Sequence, residues 1–178
     1  MEKPVTDPRY PIGKFHIDGP LSDEQKTKLI GDIASAPAEL RAAVKGLSQQ
    51  QLDTPYRDGG WTIRQVVHHL PDGHVNAYVR FKRALTEDEP AVNNYAQDRW
   101  ANLSDTRATP IEVSLAMMDS LHDRWVRLLR SFTQQEWKRT FRHPEIGVAS
   151  LEQYLVVCAW HGKHHVAHIT SLRERNSW

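Results

Sequence analysis

The most chemically informative part of the sequence is a group of histidines near its C-terminal end. The run HGKHHVAH places four of the chain's ten histidines between residues 161 and 168. His161 and His165 are four positions apart, so on a helix their rings lie on one face, about one turn apart. At that spacing both imidazoles can reach one metal ion at the Zn–N distance of about 2.0–2.1 Å. Two ligands do not complete a site, so a facing element must supply a third.

Two adjacent histidines near residue 70 are the candidates for the third ligand. His69 lies three residues after Val66 and shares its apolar face, whereas His68 is rotated away by roughly 100°. If this helix runs antiparallel to the C-terminal one, His69 and His165 lie at similar depths, roughly 10 and 13 Å from adjoining helix ends. The spacing therefore predicts a divalent metal site made of His69, His161 and His165.

The alternative is a set of hydrogen-bonded core histidines without metal. A single inward histidine is more often of this kind, and an HxxxH pair also occurs on helix surfaces. Written as a 3-4 repeat, however, the C-terminal helix continues its apolar seam through His161, His165 and His168. Because an unpaired buried imidazole is costly, several on one seam favour the metal site.

The neighbours of these histidines receive lesser roles. His168 follows His165 by three and is predicted to orient a ligand or to shuttle a proton. Cys158 is interpreted as a small core residue rather than a ligand. No glutamate stands next to a ligand in an HExxH pattern, which argues against a zincin-like protease. Of the other nearby residues, we expect Asp72 and His74 to be exposed. His164 is predicted to face outward, and Trp61 to pack at the start of a helix.

Four long helices are predicted to position these residues. Capping-box patterns mark two helix starts, at Ser22 and Thr62. Thr109 is the expected cap of the third helix, with Pro110 at its first position and Glu112 at its third, and the last helix is predicted to begin at Ser150. The first helix is expected over about 22–46, the second to about 85 and the last to about Arg173. Apolar spacing on the third helix predicts a single buried face made of Val113, Met117, Leu121, Trp125 and Leu128.

Two prolines fall inside these predicted helices. Each removes a backbone hydrogen bond and adds a steric clash. We therefore expect a break or kink at Pro37 in the first helix. We expect a bend at Pro71 in the second helix, just past His69.

The connections between the helices predict how they are arranged. LSQQQLDTPYR (47–57) and FTQQEWKRTFR (132–142) form a weak repeat, and each starts with a short capped turn after a long helix. The chain thus divides into two helical hairpins joined by a long polar linker, 86–109. Short links make the helices of each hairpin antiparallel, and the long linker permits a crossover. We expect an all-α four-helix bundle in up-down-down-up order, with an irregular N-terminal arm over residues 1–20.

Length and composition limit the class of protein. The chain has 178 residues, enough for one domain with a core, and a formal net charge of +1, which does not favour nucleic acid or an anionic membrane as a partner. No apolar run approaches the ~20 residues of a membrane span, and the N-terminus lacks the apolar segment of a signal peptide. The lone Cys158 rules out an internal disulfide. We expect one cytoplasmic domain over residues 1–178.

Long stretches of the sequence resemble the YfiT branch of the DinB-like metalloproteins. They are LDTPYRDGGWTIRQVVHHL and AWHGKHHVAHIT, with YPIGKF near the N-terminus and RFKRALTE at the end of the second helix. The resemblance implies an up-down-down-up four-helix bundle, a cytoplasmic homodimer, and one zinc or nickel ion per chain. Its motif places the ligands at His69, His161 and His165, in agreement with the spacing. In the family, the first ligand typically begins the motif HLAD, whereas this sequence has Pro71 in place of the alanine. The bend expected there would affect the width of the entrance to the site.

Three functions are compatible with such a site. Three neutral histidines leave the charge of the ion uncompensated and a coordination position open, as in catalytic zinc sites. The ion could activate water in a hydrolase of small molecules. It could instead deprotonate a low-molecular-weight thiol in an S-transferase of the bacillithiol-using type known in similar proteins. The third hypothesis is a non-catalytic bundle that the metal stabilises.

Overall fold

The computed structural model describes residues 7–17 and 19–178, which form four long helices, several short ones and a β-hairpin. The first residues of the predicted arm, 1–6, and residue 18 lie outside the described part, and residues 7–17 form neither helix nor strand. The helices are α1 (Asp23–Val44), α2 (Gln49–Leu52), α3 (Ile63–Thr86), α4 (Gln97–Trp100), α5 (Ser104–Ala108), α6 (Ile111–Arg130), α7 (Gln134–Trp137) and α8 (Leu151–Asn176), and the strands are β1 (Thr140–His143) and β2 (Gly147–Ser150).

Capping boxes begin α1, α3 and α8 at the predicted residues. The hydroxyl groups of Ser22, Thr62 and Ser150 each accept a hydrogen bond from the backbone N–H three residues later, and a glutamine at that position accepts one from the cap's own N–H. The short helices of the sequence repeat, α2 and α7, begin in the same way at Ser48 and Thr133. Each cap contributes about 1 kcal/mol, and together they determine where the long helices start.

α3 and α6 run parallel, as the long crossover between them allows. Near the start of both helices, His68 Nδ1 lies 2.7 Å from Ser114 Oγ. About two turns later, His74 Nδ1 lies 2.8 Å from His122 Nε2. Both helices therefore advance in the same direction.

α1 and α8 also run parallel. Lys26, near the start of α1, pairs with Glu152 at the start of α8, with 3.1 Å between Nζ and Oε1. Near the other end, Arg173 of α8 donates to the carbonyl of Ala43 over 2.8 Å. The first and last long helices thus point the same way.

α8 and α3 are antiparallel, which completes the topology. Tyr154, near the start of α8, accepts a hydrogen bond from Arg80 near the end of α3. Further along α8, His161 meets His69 near the start of α3. The four long helices are therefore ordered up-down-down-up, as the sequence predicts.

The core consists of two apolar clusters with the histidines between them along the bundle. On α3, apolar residues within 63–70 belong to one cluster, here called the first, and those within 77–84 belong to the second. On α8 the order reverses, with 151–159 in the second cluster and 169–172 in the first. His74 of α3, His122 of α6 and His164, His165 and His168 of α8 fall in the interval between these stretches, and His69 lies at the end of the first stretch of α3, beside Leu70. Apolar packing on both sides therefore holds a polar layer at the middle of the bundle.

The predicted buried face of α6 is partly wrong. Val113 and Met117 are 56% and 42% exposed. The buried positions are Ile111, Leu115, Met118, His122, Trp125, Val126 and Leu129. This face contains a histidine, so a pattern built on apolar residues alone selected a neighbouring register. The helix begins after Pro110, whereas Thr109 closes α5 and makes no side-chain cap.

Both prolines are accommodated inside continuous helices. α1 is helical through Pro37 and α3 through Pro71, and both prolines are buried. A break at Pro37 is therefore absent from α1, whereas a kink there and the bend expected at Pro71 stay predictions.

A β-hairpin between α7 and α8 was not predicted from the sequence. Its strands pair antiparallel from Thr140 opposite Ser150 to His143 opposite Gly147, and Ala91 of the crossover forms a parallel bridge with Arg142. Each strand has only four residues, which is too short for a clear alternating pattern. Among the described residues, no helix is both long enough and apolar enough to cross a bilayer.

Candidate metal centre

The structure brings together the three histidines that the sequence singled out. One ring nitrogen from each of His69, His161 and His165 lies within 4.8 Å of the others. The Nε2 atoms of His69 and His161 are 3.2 Å apart. Two nitrogen ligands of a tetrahedral ion at about 2.0–2.1 Å are separated by about 3.3 Å. Spacing and donor type therefore fit one shared divalent ion.

Burial keeps these histidines neutral. It lowers the pKa of His69 to about 4 and that of His161 to about 3, and repulsion from neighbouring histidines adds to the effect. The pKa of His165 is also lowered well below its ordinary value, first by burial. Metal binding requires unprotonated imidazole nitrogens. The cluster is therefore in the protonation state of a ligand set at neutral pH.

A chain of hydrogen bonds determines which nitrogen of His161 carries its proton. His122 Nδ1 is 2.6 Å from the carbonyl oxygen of Ile33, which can only accept, so His122 donates there. Burial lowers the pKa values of His122 and His74 and keeps both neutral. His122 Nε2 then accepts from His74 Nδ1 at 2.8 Å, and His74 Nε2 accepts from His161 Nδ1 at 3.0 Å. The lone pair of His161 therefore lies on Nε2, which faces the cluster.

His168 acts on His165 in the same way. Its Nε2 lies 3.3 Å from the carbonyl oxygen of Arg9 and its Nδ1 lies 3.3 Å from His165 Nδ1. Burial lowers the pKa of His168 to about 4, so it is neutral, donates to the carbonyl and accepts from His165. Its ring also stacks on Tyr56, with 4.0 Å between the centroids. The sequence predicted that His168 orients a ligand or shuttles a proton; the structure places it beside His165, and its role stays a prediction.

Tyr95 and Gly73 complete the surroundings of the cluster, and the sequence interpretation overlooked both. The Tyr95 hydroxyl, from the crossover, lies 3.2 Å from His69 Nδ1. A Cβ at Gly73 would lie 3.0 Å from His161 Cε1 and 3.3 Å from the Tyr95 hydroxyl. Little room is therefore left for a side chain at residue 73 of α3, beside His161. An isolated glycine within a helical pattern was the available signal.

His74 was expected to be exposed, and this expectation was wrong. It is 2% exposed and bridges His161 to His122. His74 lies four residues after Leu70 and three before Ala77, both of which are buried. Its position on the buried apolar face of α3 could therefore have been predicted from its spacing to these two residues. His122 was missed for the related reason that polar residues were left out of the α6 pattern.

His164 was expected to face outward, and it is also buried. It is 7% exposed because Trp160 stacks on it at 4.1 Å and Tyr10 of the N-terminal arm lies 6.0 Å away, between ring centroids. Asp72 is half-buried rather than exposed, and burial raises its pKa to about 6. Both differences arise because the arm and the crossover cover surfaces that an isolated helix would expose.

The structure also shows the positions of Cys158 and Trp61. Cys158 is a buried core residue and is not part of the histidine cluster, and burial raises the pKa of its thiol. Trp61 packs at the start of α3, with its ring centroid 4.5 Å from that of His69. Its indole Nε1 donates to Asp98 of the crossover over 3.2 Å. Trp61 thus joins the crossover to the cluster.

Cavities lie on two sides of the cluster. One, of about 400 Å³, is lined by His161, His165 and His168 together with aromatic and arginine side chains. The other, of about 280 Å³, extends from Gly73 and His161 toward Arg80. His161 borders both. A small molecule in either cavity would lie beside the cluster.

Comparison with known proteins gives relatives over almost the whole chain. The family model of the DinB superfamily matches residues 33–169. A Bacillus mycoides (strain KBAB4) protein, provisionally named a metal-dependent hydrolase, is 52% identical over 174 residues, 98% of this chain and 100% of that protein. The structure of YfiT from Bacillus subtilis, described as a "probable metal-dependent hydrolase with an unusual four-helix bundle topology", is 46% identical with a TM-score of 0.94, covering 97% of this chain and 99% of that one. The four-helix bundle protein TT2238 shares the fold, with 19% identity and a TM-score of 0.55 over 86% of this chain and 99% of its own.

Proposed function

This chain belongs to the DinB superfamily, and we propose that it is a metal-dependent hydrolase whose ion is held by His69, His161 and His165. The observation that carries the proposal is the convergence of three neutral imidazole nitrogens within 4.8 Å beside two cavities. The names given to the Bacillus relatives support the same class of reaction.

The chemistry follows from the donor set. Three protein ligands leave a coordination position open, in contrast to the four of a structural site. When bound, a divalent ion supplies a positive charge that polarises a substrate oxygen and lowers the pKa of coordinated water to about 7. The chain's own contribution is to hold the three imidazole rings in place, with the Nε2 lone pairs of His161 and His165 free. Both ring nitrogens of His168 are engaged, which favours positioning of His165 over proton transfer.

Imidazole donors suit several divalent ions, and we propose zinc or nickel. The experiment is elemental analysis of untagged protein, with His161→Ala and His68→Phe as matched variants. His68 is a buried histidine bonded to Ser114 and outside the cluster. We expect one ion per chain in the wild type and in His68→Phe, and none in His161→Ala. Equal metal content in all three proteins would contradict the assignment of the ligands.

The hydrolytic reaction needs its own measurement. A panel of small esters and amides is assayed with water as the only nucleophile, before and after treatment with EDTA. We expect turnover that EDTA abolishes and added metal restores. A protein that binds one ion, turns over none of these substrates and unfolds when the ion is removed would support a purely structural role instead.

A thiol S-transferase is the second candidate, and the two cavities that meet at His161 favour it. A thiol on one side and an electrophile on the other would both lie beside the ion, which would also deprotonate the thiol. The thiol must come from outside the chain, because burial raises the pKa of Cys158. Activity that appears only with an added low-molecular-weight thiol would identify this reaction in place of hydrolysis.

Assembly and location remain predictions from the family resemblance. We propose a homodimer, and light scattering after size-exclusion chromatography measures the mass directly against the 20.5 kDa of one chain. A cytoplasmic location is likewise proposed. Fractionation of cells that produce the native protein tests it.

A further inference from the structure

Arg80 is a buried cation that has no anionic partner in the described part of the chain. Its side chain lies on α3, two turns beyond Gly73, and the residue is 8% exposed. Its guanidinium donates to the Tyr154 hydroxyl over 2.6 Å and to the Asn93 carbonyl over 2.9 Å. Both acceptors are neutral, and no carboxylate of residues 7–17 or 19–178 forms an ion pair with Arg80. Burying a charge is costly unless an opposite charge compensates it.

The surroundings of Arg80 are those of a binding site rather than of a packed core. Arg80 lines the cavity of about 280 Å³ that His161 also borders. Glu145, at the rim, is exposed and accepts a hydrogen bond from Asn94. Burial lowers the pKa of His143, so this neighbour is neutral. Much of the remaining wall is apolar, from Phe15, Ala77, Ile146 and Val157.

Two other arginines of α3 are paired with a carboxylate. Arg83, three residues further along α3, pairs with Glu87 over 2.6 Å. Arg64, at the start of the same helix, pairs with Asp53 over 2.7 Å. Arg80 is more buried than either and lacks such a carboxylate in the described part of the chain. The missing charge is therefore expected from a ligand.

We propose that Arg80 binds the carboxylate or phosphate group of the substrate, whose apolar body fills this cavity. The planar fork of an arginine suits either anion, since it can donate two parallel hydrogen bonds. Tyr154 and Asn93 hold the guanidinium in place. Seven residues separate Arg80 from Gly73, which corresponds to about 10 Å along the helix. The reactive end of the substrate would thus reach His161, and this half of the inference rests on the proposed function.

The test uses three probes of nearly the same shape. Benzoate, phenyl phosphate and the neutral benzamide are titrated by calorimetry into metal-loaded protein and into protein stripped of metal. We expect at least one of the two anions to bind about tenfold tighter than benzamide in both forms, since a hydrogen bond to a charged group is worth at least that factor. The preferred anion distinguishes a carboxylate substrate from a phosphate substrate.

Matched variants locate the anion. Arg80→Gln should remove the preference for the anions, whereas Arg127→Gln, which removes an exposed arginine paired with Asp123, should leave it unchanged. If circular dichroism shows that Arg80→Gln is unfolded, Tyr154→Phe keeps the charge but loosens its position and should weaken anion binding. Arg57 lines the other cavity. Loss of the preference in Arg57→Gln but not in Arg80→Gln would overturn the proposal.

Two further results separate this inference from the proposed function. Anion binding that persists in stripped protein without any hydrolysis in loaded protein would support the Arg80 site and contradict the hydrolase. Anion binding that needs the metal and is unchanged in Arg80→Gln would overturn the Arg80 site alone.

Discussion

At the scale of single residues, the candidate centre depends on the position of each imidazole proton. The Ile33 carbonyl and the Arg9 carbonyl each end a hydrogen-bonded chain, and because a carbonyl only accepts, each chain has one direction. One chain leads to His161 and the other to His165. Both leave the Nε2 lone pair free to bind metal. Backbone atoms far from the ion thus preorganise two of its ligands.

His168 offers a direct test of this preorganisation. His168→Phe keeps a ring that can stack on Tyr56 but loses the acceptor for His165 Nδ1. Removing such a partner of a metal ligand costs about 10–100-fold in affinity, so we expect a loss of that size in a competition titration with a chelating dye. His68→Phe removes another buried histidine and should bind metal like the wild type. Unchanged affinity in His168→Phe would show that the chain from Arg9 does not position His165.

The sequence predicted the three clustered histidines and His168 but not the roles of His74 and His122, and the reason is physical. His161 and His165 are visible because the i, i+4 spacing is itself the signal, and His69 follows from its shared face with Val66. His74 and His122 are supporting residues in the core, where only apolar residues were counted. Buried polar residues can satisfy their hydrogen-bonding groups by bonding to each other. A pattern that counts only apolar residues does not detect them.

At the scale of elements, the close approach of α3 to α8 determines the geometry of the cluster. Gly73 lies at this crossing, where a Cβ would be 3.0 Å from His161 Cε1. Glycine inside a helix costs about 1 kcal/mol relative to alanine. The helix accepts this cost at Gly73 because a larger residue would displace His161.

Two glycine substitutions separate helix propensity from metal binding. Gly31→Ala lies on an exposed part of α1 with open space around it, so it should raise the free energy of unfolding by up to about 1 kcal/mol and leave metal affinity unchanged. Gly73→Ala gains the same propensity but pushes on His161, and we expect metal affinity to fall about tenfold or more. Urea unfolding and dye competition measure the two quantities. Wild-type affinity in Gly73→Ala would mean that His161 has room to move.

Element boundaries were predictable where local side chains define them. Ser22, Thr62 and Ser150 begin their helices as predicted because capping is a contact within four residues of sequence. The hairpin over 140–150 was not predictable in this way, because it depends on contacts with a distant part of the chain, such as the bridge between Ala91 and Arg142. The register of α6 was missed for a different reason, since its buried face includes His122.

At the scale of the whole molecule, the bundle supports a polar layer between two apolar clusters. The parallel pairing of α3 with α6 brings His74 to His122, and the antiparallel pairing of α3 with α8 brings His69 to His161. A simple up-down-up-down bundle would make α3 and α6 antiparallel and would not keep this alignment. The long crossover therefore serves the site directly, and it also contributes Tyr95.

This buried layer predicts a strong loss of stability in acid when no metal is bound. The pKa of His69 falls to about 4 and that of His161 to about 3 in the folded chain, against 6.5 as the ordinary value. Below pH 6.5 the unfolded chain therefore binds protons that the folded chain excludes, and stability falls with pH down to the folded values. Asp72 acts in the opposite direction, because burial raises its pKa to about 6, but it is one group against several histidines.

The size of this effect is measurable with chelator-treated protein. At pH 5.5 each fully shielded histidine costs up to about 1.4 kcal/mol of the free energy of unfolding relative to pH 7.5. Urea unfolding at both pH values should show a loss of several such increments. His164→Phe removes a buried histidine whose pKa is lowered to about 3 and which lies outside the ligand set, so it should reduce the acid loss by about one increment. Equal stability at the two pH values would mean that the histidine layer is open to water. It would then not be the buried, neutral ligand set on which the metal assignment depends.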